Sequence, residues 1–150
     1  MYIYVQSTDS TEVYPKNNSL SFTVQLPKRL HLGAGWTVAL SELYLPPVQV
    51  EGFSWTDTVP LLVCTPQCAS SVVKGSHVPL LRRVVLNDQE QREGVRLHFN
   101  PLYYIPLIQD DLDNISIYLK STSEQKLSFG DKTLYCTLHL KQDGVPFLRR

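Results

Sequence analysis

The sequence has no excess charge of either sign, because Lys plus Arg and Asp plus Glu both number 14 in its 150 residues. A free-standing nucleic-acid binder needs a net basic surface to displace counterions, so no specific nucleic-acid partner is expected. The same balance leaves self-association without electrostatic resistance. Any run of about 18 apolar residues is missing, and no membrane-spanning helix is predicted. Met1-Tyr2-Ile3-Tyr4-Val5-Gln6-Ser7 has no positive n-region and turns polar at once, so no signal peptide is expected. Cysteine is scarce and odd in number (Cys64, Cys68 and Cys136), which favours free thiols over a disulfide framework.

Helical periodicity is also nearly absent. Ten prolines and seven glycines punctuate the chain, and few windows repeat apolar residues at three-and-four spacing. Alternation is abundant instead. Tyr2 to Val5 is aromatic and β-branched. Leu20, Phe22, Val24 and Leu26 alternate with polar residues until Pro27, which is expected to end that strand. Trp36 to Tyr44 follows Gly33-Ala34-Gly35. Period-two counting puts Trp36, Val38, Leu40 and Glu42 on one face, and Pro46-Pro47 stops the run. A carboxylate on that face would want a basic partner or a place past the core edge.

Further strands are read at Val59 to Val63 (broken by Pro60), Leu80 to Leu86, Val95 to Phe99, Tyr103 to Ile108 (interrupted by Pro106), Ile115 to Leu119 and Thr133 to Leu140. Val72-Val73 is too short to assign. Helix is expected only as a turn or two near Gln109 to Asp113. Eight or nine strands separated by turn residues predict one all-β domain over residues 1–150, a sandwich or barrel. The least ordered stretches are expected at Gln6 to Asn18, Gln49 to Asp57, Cys68 to Ser76 and after Gln142.

Catalytic patterns are lacking. Cys64-Thr65-Pro66-Gln67-Cys68 has poor zinc spacing, with only His77 and distant Cys136 as further ligands. The histidines His31, His77, His98 and His139 are scattered, no G-x-S-x-G occurs, and Gly33-Ala34-Gly35-Trp36 lacks the lysine of a phosphate loop. Asp110-Asp111 with Asp113 reads as a solvated turn or helix start. Neither enzyme chemistry, nor a metal, nor a cofactor is expected. Arg82-Arg83 and Arg149-Arg150 are basic doublets that suit solvated or salt-bridged strand positions, or contacts with acidic neighbour chains or packaged nucleic acid.

Several stretches resemble the minor capsid (penton) protein of the Polinton/Maverick and adintovirus group. They are Tyr14-Pro15 with Asn17-Asn18, Phe22-Thr23-Val24-Gln25-Leu26-Pro27, and Trp36-Thr37-Val38-Ala39-Leu40-Ser41-Glu42-Leu43 closed by Pro46. Pro79-Leu80-Leu81-Arg82, Pro101 with Tyr103-Tyr104-Ile105-Pro106-Leu107, Ile115 to Leu119, Phe129-Gly130 and Thr137-Leu138-His139-Leu140 continue the order. The last strand departs from the family pattern, with Leu140-Lys141 where an aromatic and Arg usually stand. The resemblance spans Tyr14 to Lys141, with a gap over Gln49 to Ser76. Its motif residues Trp36, Leu40, Glu42, Pro46, Leu80, Arg82, Tyr104, Pro106, Gly130 and His139 read mostly as structural.

The resemblance implies a single jelly-roll β-sandwich of two antiparallel four-stranded sheets. It implies a virion protein made in the host cell, five copies of which occupy each icosahedral vertex beside a double-jelly-roll major capsid protein. A ring of five requires two different adhesive patches, for which Tyr2, Tyr4, Tyr44, Tyr103, Tyr118 and Tyr135 are candidates. The alternative is an attachment module that binds a host receptor or glycan through Gln49 to Asp57, with Phe53 and Trp55 as stacking residues.

Overall fold

The computed structural model describes residues 1–50, 58–122 and 127–143. Phe53, Trp55 and the Arg149-Arg150 doublet lie outside them. In chain order the elements are β1 (Tyr2–Gln6), β2 (Ser21–His31), β3 (Trp36–Leu45), β4 (Gln49–Val50), β5 (Val59–Cys64), β6 (Ser71–Val73), β7 (Ser76–Val78), β8 (Leu80–Leu86), α1 (Asp88–Glu93), β9 (Val95–His98), β10 (Ile105–Pro106), β11 (Asp111–Ser121), β12 (Leu127–Ser128) and β13 (Tyr135–Gln142). Val72-Val73, too short to assign from sequence, lies in β6 and pairs with β7.

Two antiparallel sheets carry the architecture. The first runs β1-β13-β3, with β9 and β10 sharing the far edge of β3; the second runs β2-β11-β5-β8. The first therefore has five strands rather than the expected four, because β9 pairs with Glu42 to Leu45 and β10 with Thr37 and Val38. A single apolar cluster draws on both sheets, with Val38, Leu40, Leu43 and Leu138 from one and Phe22, Val24, Ile115 and Ile117 from the other. This packing of alternate side chains makes a β-sandwich interior, and each fully buried Leu, Ile or Phe contributes about 1.5–3 kcal/mol. A smaller cluster of Leu62, Cys64 and Val78 lies beneath the β6–β7 hairpin.

Three further expectations are corrected. Asp111 and Asp113 do not start a helix; they are strand residues of β11, where Asp111 faces His31 at 3.0 Å and Asp113 pairs with Arg29 at 2.7 Å. The helix forms at Asp88–Glu93, where Asn87 caps the Glu90 N–H and the Glu90 side chain accepts from the Asn87 N–H. Nor does Pro27 end its strand, since β2 continues to His31. Proline is tolerated there because β2 is an edge strand. Finally, Glu42 does not share the face of Trp36, Val38 and Leu40. The pairing slips between Leu40↔Leu138 and Glu42↔Thr137, leaving Ser41 as a one-residue bulge. Its hydroxyl donates to the Thr137 carbonyl at 3.1 Å, and its own carbonyl accepts from the Phe99 N–H at 3.0 Å. Beyond the bulge Leu43 and Leu45 take the core face and Glu42 turns outward.

Pro60 sits inside β5, an interior strand, where its missing donor costs no bond to β8. Its carbonyl accepts from Thr122 N–H, so its missing donor would have pointed toward β11, whose pairing with β5 ends at Leu61.

The outer edge of β2 is closed by side chains. Asn18 Oδ1 accepts from Ser21 N–H, and Ser10 Oγ accepts from Gln25 N–H. Asn17 imitates a strand partner for Thr23, accepting from its N–H at 3.0 Å and donating to its carbonyl at 2.8 Å. Such plugging blocks edge-to-edge pairing. Asn17→Ala is expected to cost about 1–2 kcal/mol and to raise concentration-dependent association. Urea unfolding and light scattering check this; unchanged values in both would refute the role.

Candidate functional site

The outward face of the first sheet concentrates the polar and aromatic chemistry. Register alone fixes the grid. Tyr2 lies opposite His139, Tyr4 opposite Thr137 and Gln6 opposite Tyr135. On the other side of β13, His139 faces Ala39, Thr137 faces Glu42 and Tyr135 faces Tyr44. One strand farther, Glu42 faces His98 and Tyr44 faces Arg96. Tyr4 is 71% exposed, Tyr2 56% and Tyr135 47%, whereas Thr137 and Ala39 beneath them are buried.

Two ring clusters stand over that floor. At the upper end Tyr2 packs on His139 with ring centres 4.4 Å apart, and the Tyr104 hydroxyl lies 2.7 Å from His139 Nδ1. The Lys141 ammonium sits 4.0 Å from the centre of the Tyr104 ring. At the lower end Tyr44 and Tyr135 rings are 5.8 Å apart, with the Arg96 guanidinium 5.9 Å over Tyr44. At this lower end a cleft of about 230 Å³ is walled by Tyr4, Tyr44 and Tyr135 and lined by Glu42, Arg96 and Thr137. Glu42 Oε2 is 3.4 Å from His98 Nδ1, so the carboxylate does have a basic neighbour, on the solvent side.

Burial beneath these rings pushes the His139 pKa below its ordinary 6.5, helped by the N-terminal ammonium and Lys141. A folded value below the unfolded one means that the neutral ring's contribution is complete above about pH 6.5 and is lost as pH falls through the folded value. The urea midpoint is therefore expected to drop between about pH 7 and pH 5, and to drop less in His139→Gln. An NMR titration that places His139 at or above 6.5 would contradict this.

Arg82 occupies a different corner. Its guanidinium lies 3.7 Å from the Tyr103 ring centre and 4.6 Å from that of Phe99, and it donates to the Pro101 carbonyl at 2.9 Å. Arg82→Lys is expected to lose about 1 kcal/mol of stability, because a compact ammonium cannot stack as the flat guanidinium does. Equal denaturation midpoints for the two proteins would remove the clamp from consideration.

The other residues singled out from sequence scatter. Leu40 is core, and Trp36 packs half-buried against it at the start of β3. Pro46 is buried and packs under Gly94, while Leu80 covers the small outer cluster. Pro106 is exposed on β10, its carbonyl accepting from Ala69 N–H. Gly130 takes a positive φ of 65° in the turn after β12. Glu42, Tyr104 and His139 share the outward face, with Pro106 at its far edge opposite Thr37. Thr137 and Ala39 lie inside the resembling stretches without being singled out, and Arg96 lies outside them; the signal of all three was the alternation of β13, β3 and β9.

Cys64, Cys68 and Cys136 are free and buried. Burial raises all three thiol pKa values, Cys68 to about 11 and Cys136 to about 12, which disfavours the thiolate that nucleophilic or metal chemistry requires. Among the described residues no three His, Cys, Asp or Glu side chains converge on a metal-sized site, and no helix is long and apolar enough to cross a membrane. Comparison with family models, curated proteins and solved structures gives no match.

Proposed function

We propose that this chain is a structural protein, a minor capsid (penton) subunit that forms pentamers at icosahedral vertices and contacts a double-jelly-roll major capsid protein. The observation that carries the reading is the strand order. Taking only the eight strands of four or more residues, the sheets read first-eighth-third-sixth and second-seventh-fourth-fifth. Successive strands along the chain thus mostly alternate between sheets, an interleaving that supports the jelly-roll reading. Support also comes from the resemblance over Tyr14 to Lys141.

A closed ring needs two unlike patches on opposite flanks. Tyr2 is exposed at the β1 flank, and Tyr103, 53% exposed, stands near the β8 and β9 flank. Tyrosine suits such contacts because its ring buries apolar area while its hydroxyl keeps a polar partner. Burial of apolar surface between subunits would supply about 25 cal/mol per Å², less the ordering cost of association.

Native mass measurement and electron microscopy of the purified full chain, alone and with a major capsid protein of the double-jelly-roll type, test the reading. Five-membered rings are the expected result. A strictly monomeric species at every concentration that also fails to bind the major capsid protein would overturn it.

A further inference from the structure

We infer that the cleft over Thr137 on the outward sheet face is a carbohydrate site that takes one ring of an uncharged hexose. This does not depend on vertex assembly, since every residue of the cleft belongs to one chain. Its volume of about 230 Å³ falls below the roughly 300 Å³ at which drug-sized ligand sites begin. That leaves room for a single sugar ring.

The lining matches a sugar's two chemistries. A pyranose has an apolar C–H face, which the ring of Tyr4, the most exposed of the three tyrosines lining the cleft, can cover. Its edge carries vicinal hydroxyls that both donate and accept. Glu42 brings an acceptor-only carboxylate and Arg96 a donor-only guanidinium to the same cleft. Among the described residues no carboxylate pairs with Arg96, so its donors remain free for a ligand. The bulge at Ser41 is what makes the constellation: without it Glu42 would face the core, and the cleft would have no acceptor of this strength.

Two rival occupants fit less well. An extended peptide recognised through its main chain needs free backbone groups, but β13 and β3 are paired on both sides along this stretch. A proline-rich peptide would accept from tyrosine hydroxyls, yet its prolines have no N–H to offer Glu42. Sugar hydroxyls donate to the carboxylate and accept from the guanidinium.

The test is saturation-transfer and chemical-shift NMR of the full chain with free glucose, galactose and mannose, followed by a glycan array. At least one hexose is expected to bind saturably with a Kd of about 1 mM, shifting Tyr4 and Thr137. Tyr4→Ala and Glu42→Gln are each expected to weaken binding about tenfold, roughly 1.4 kcal/mol. Tyr4 is mostly exposed and Glu→Gln is nearly isosteric, so both variants should keep the parent's thermal midpoint. Ile108→Ala, at an exposed position outside the cleft lining, should bind as the parent does. The inference is overturned if no hexose or array glycan binds, if binding survives both cleft variants, or if a proline-rich peptide occupies the cleft and sugars do not.

Discussion

Leu40→Ala is expected to destabilise the protein by about 3 kcal/mol, within the 2–5 kcal/mol typical of Leu truncation in closed cores. Leu40 is 1% exposed, pairs across the sheet with Leu138, and belongs to the cluster shared by both sheets. It also sits immediately before the Ser41 bulge, where the backbone is tied to Thr137 and Phe99 and cannot easily collapse into a void. For a chain of this size the loss corresponds to a fall in Tm of roughly 6–12 °C. Leu40→Met, which conserves volume, should cost less than about 1.5 kcal/mol. Urea unfolding separates the two, with a lower midpoint and an unchanged slope in the alanine variant. A cost below about 1 kcal/mol for Leu40→Ala would mean that the sheets do not enclose a tightly packed interior.

Gly94→Ala should be comparably damaging, for a different reason. Gly94 closes α1 with φ 80° and ψ 170°, a backbone region open to almost no residue but glycine. A Cβ there would lie 2.8 Å from the Leu45 carbonyl oxygen and 3.3 Å from the Pro46 carbonyl carbon, both main-chain atoms held by β3 and its proline stop. Conformational strain of about 1–3 kcal/mol therefore adds to a clash that no side-chain rotation relieves. Gly33 is the matched control. Its φ of 76° is also positive, but a Cβ would meet nothing within 4 Å. Gly33→Ala should cost only about 1 kcal/mol, the backbone penalty alone. If thermal melts rank Gly33→Ala as equal to or worse than Gly94→Ala, the close approach of α1's end to β3 is wrong.

Much of the sandwich was legible because alternation reports burial residue by residue. Phe22 and Val24, Ile115 and Ile117, and Cys136, Leu138 and Leu140 all fall on the inner face as period-two counting requires. Counting failed wherever a single residue changed the phase. The Ser41 insertion is invisible to it, which is why Glu42 was set beside Leu40 instead of across from Thr137. The six-residue α1 shows no apolar stripe, yet its Asn87-Asp88-Gln89-Glu90 capping box could have been read. Asp111 and Asp113 looked like a helix start because their partners, Arg29 and His31, lie about eighty residues away in sequence. The cleft was hidden for the same reason. Tyrosine identities could be noted from sequence, but the meeting of Tyr4, Thr137 and Glu42 requires three strands brought together by the fold.

Equal numbers of cations and anions deprive this molecule of the mutual repulsion that keeps many proteins dispersed. What stands between two copies at the β2 flank is local instead: one carboxamide at Asn17, one at Asn18 and one hydroxyl at Ser10. These are short-range contacts that salt scarcely screens, so dispersal through this flank should change little from dilute to concentrated buffer. Heating or mild denaturant that peels away the segment before β2 would instead free a ready-made ladder for a sister chain.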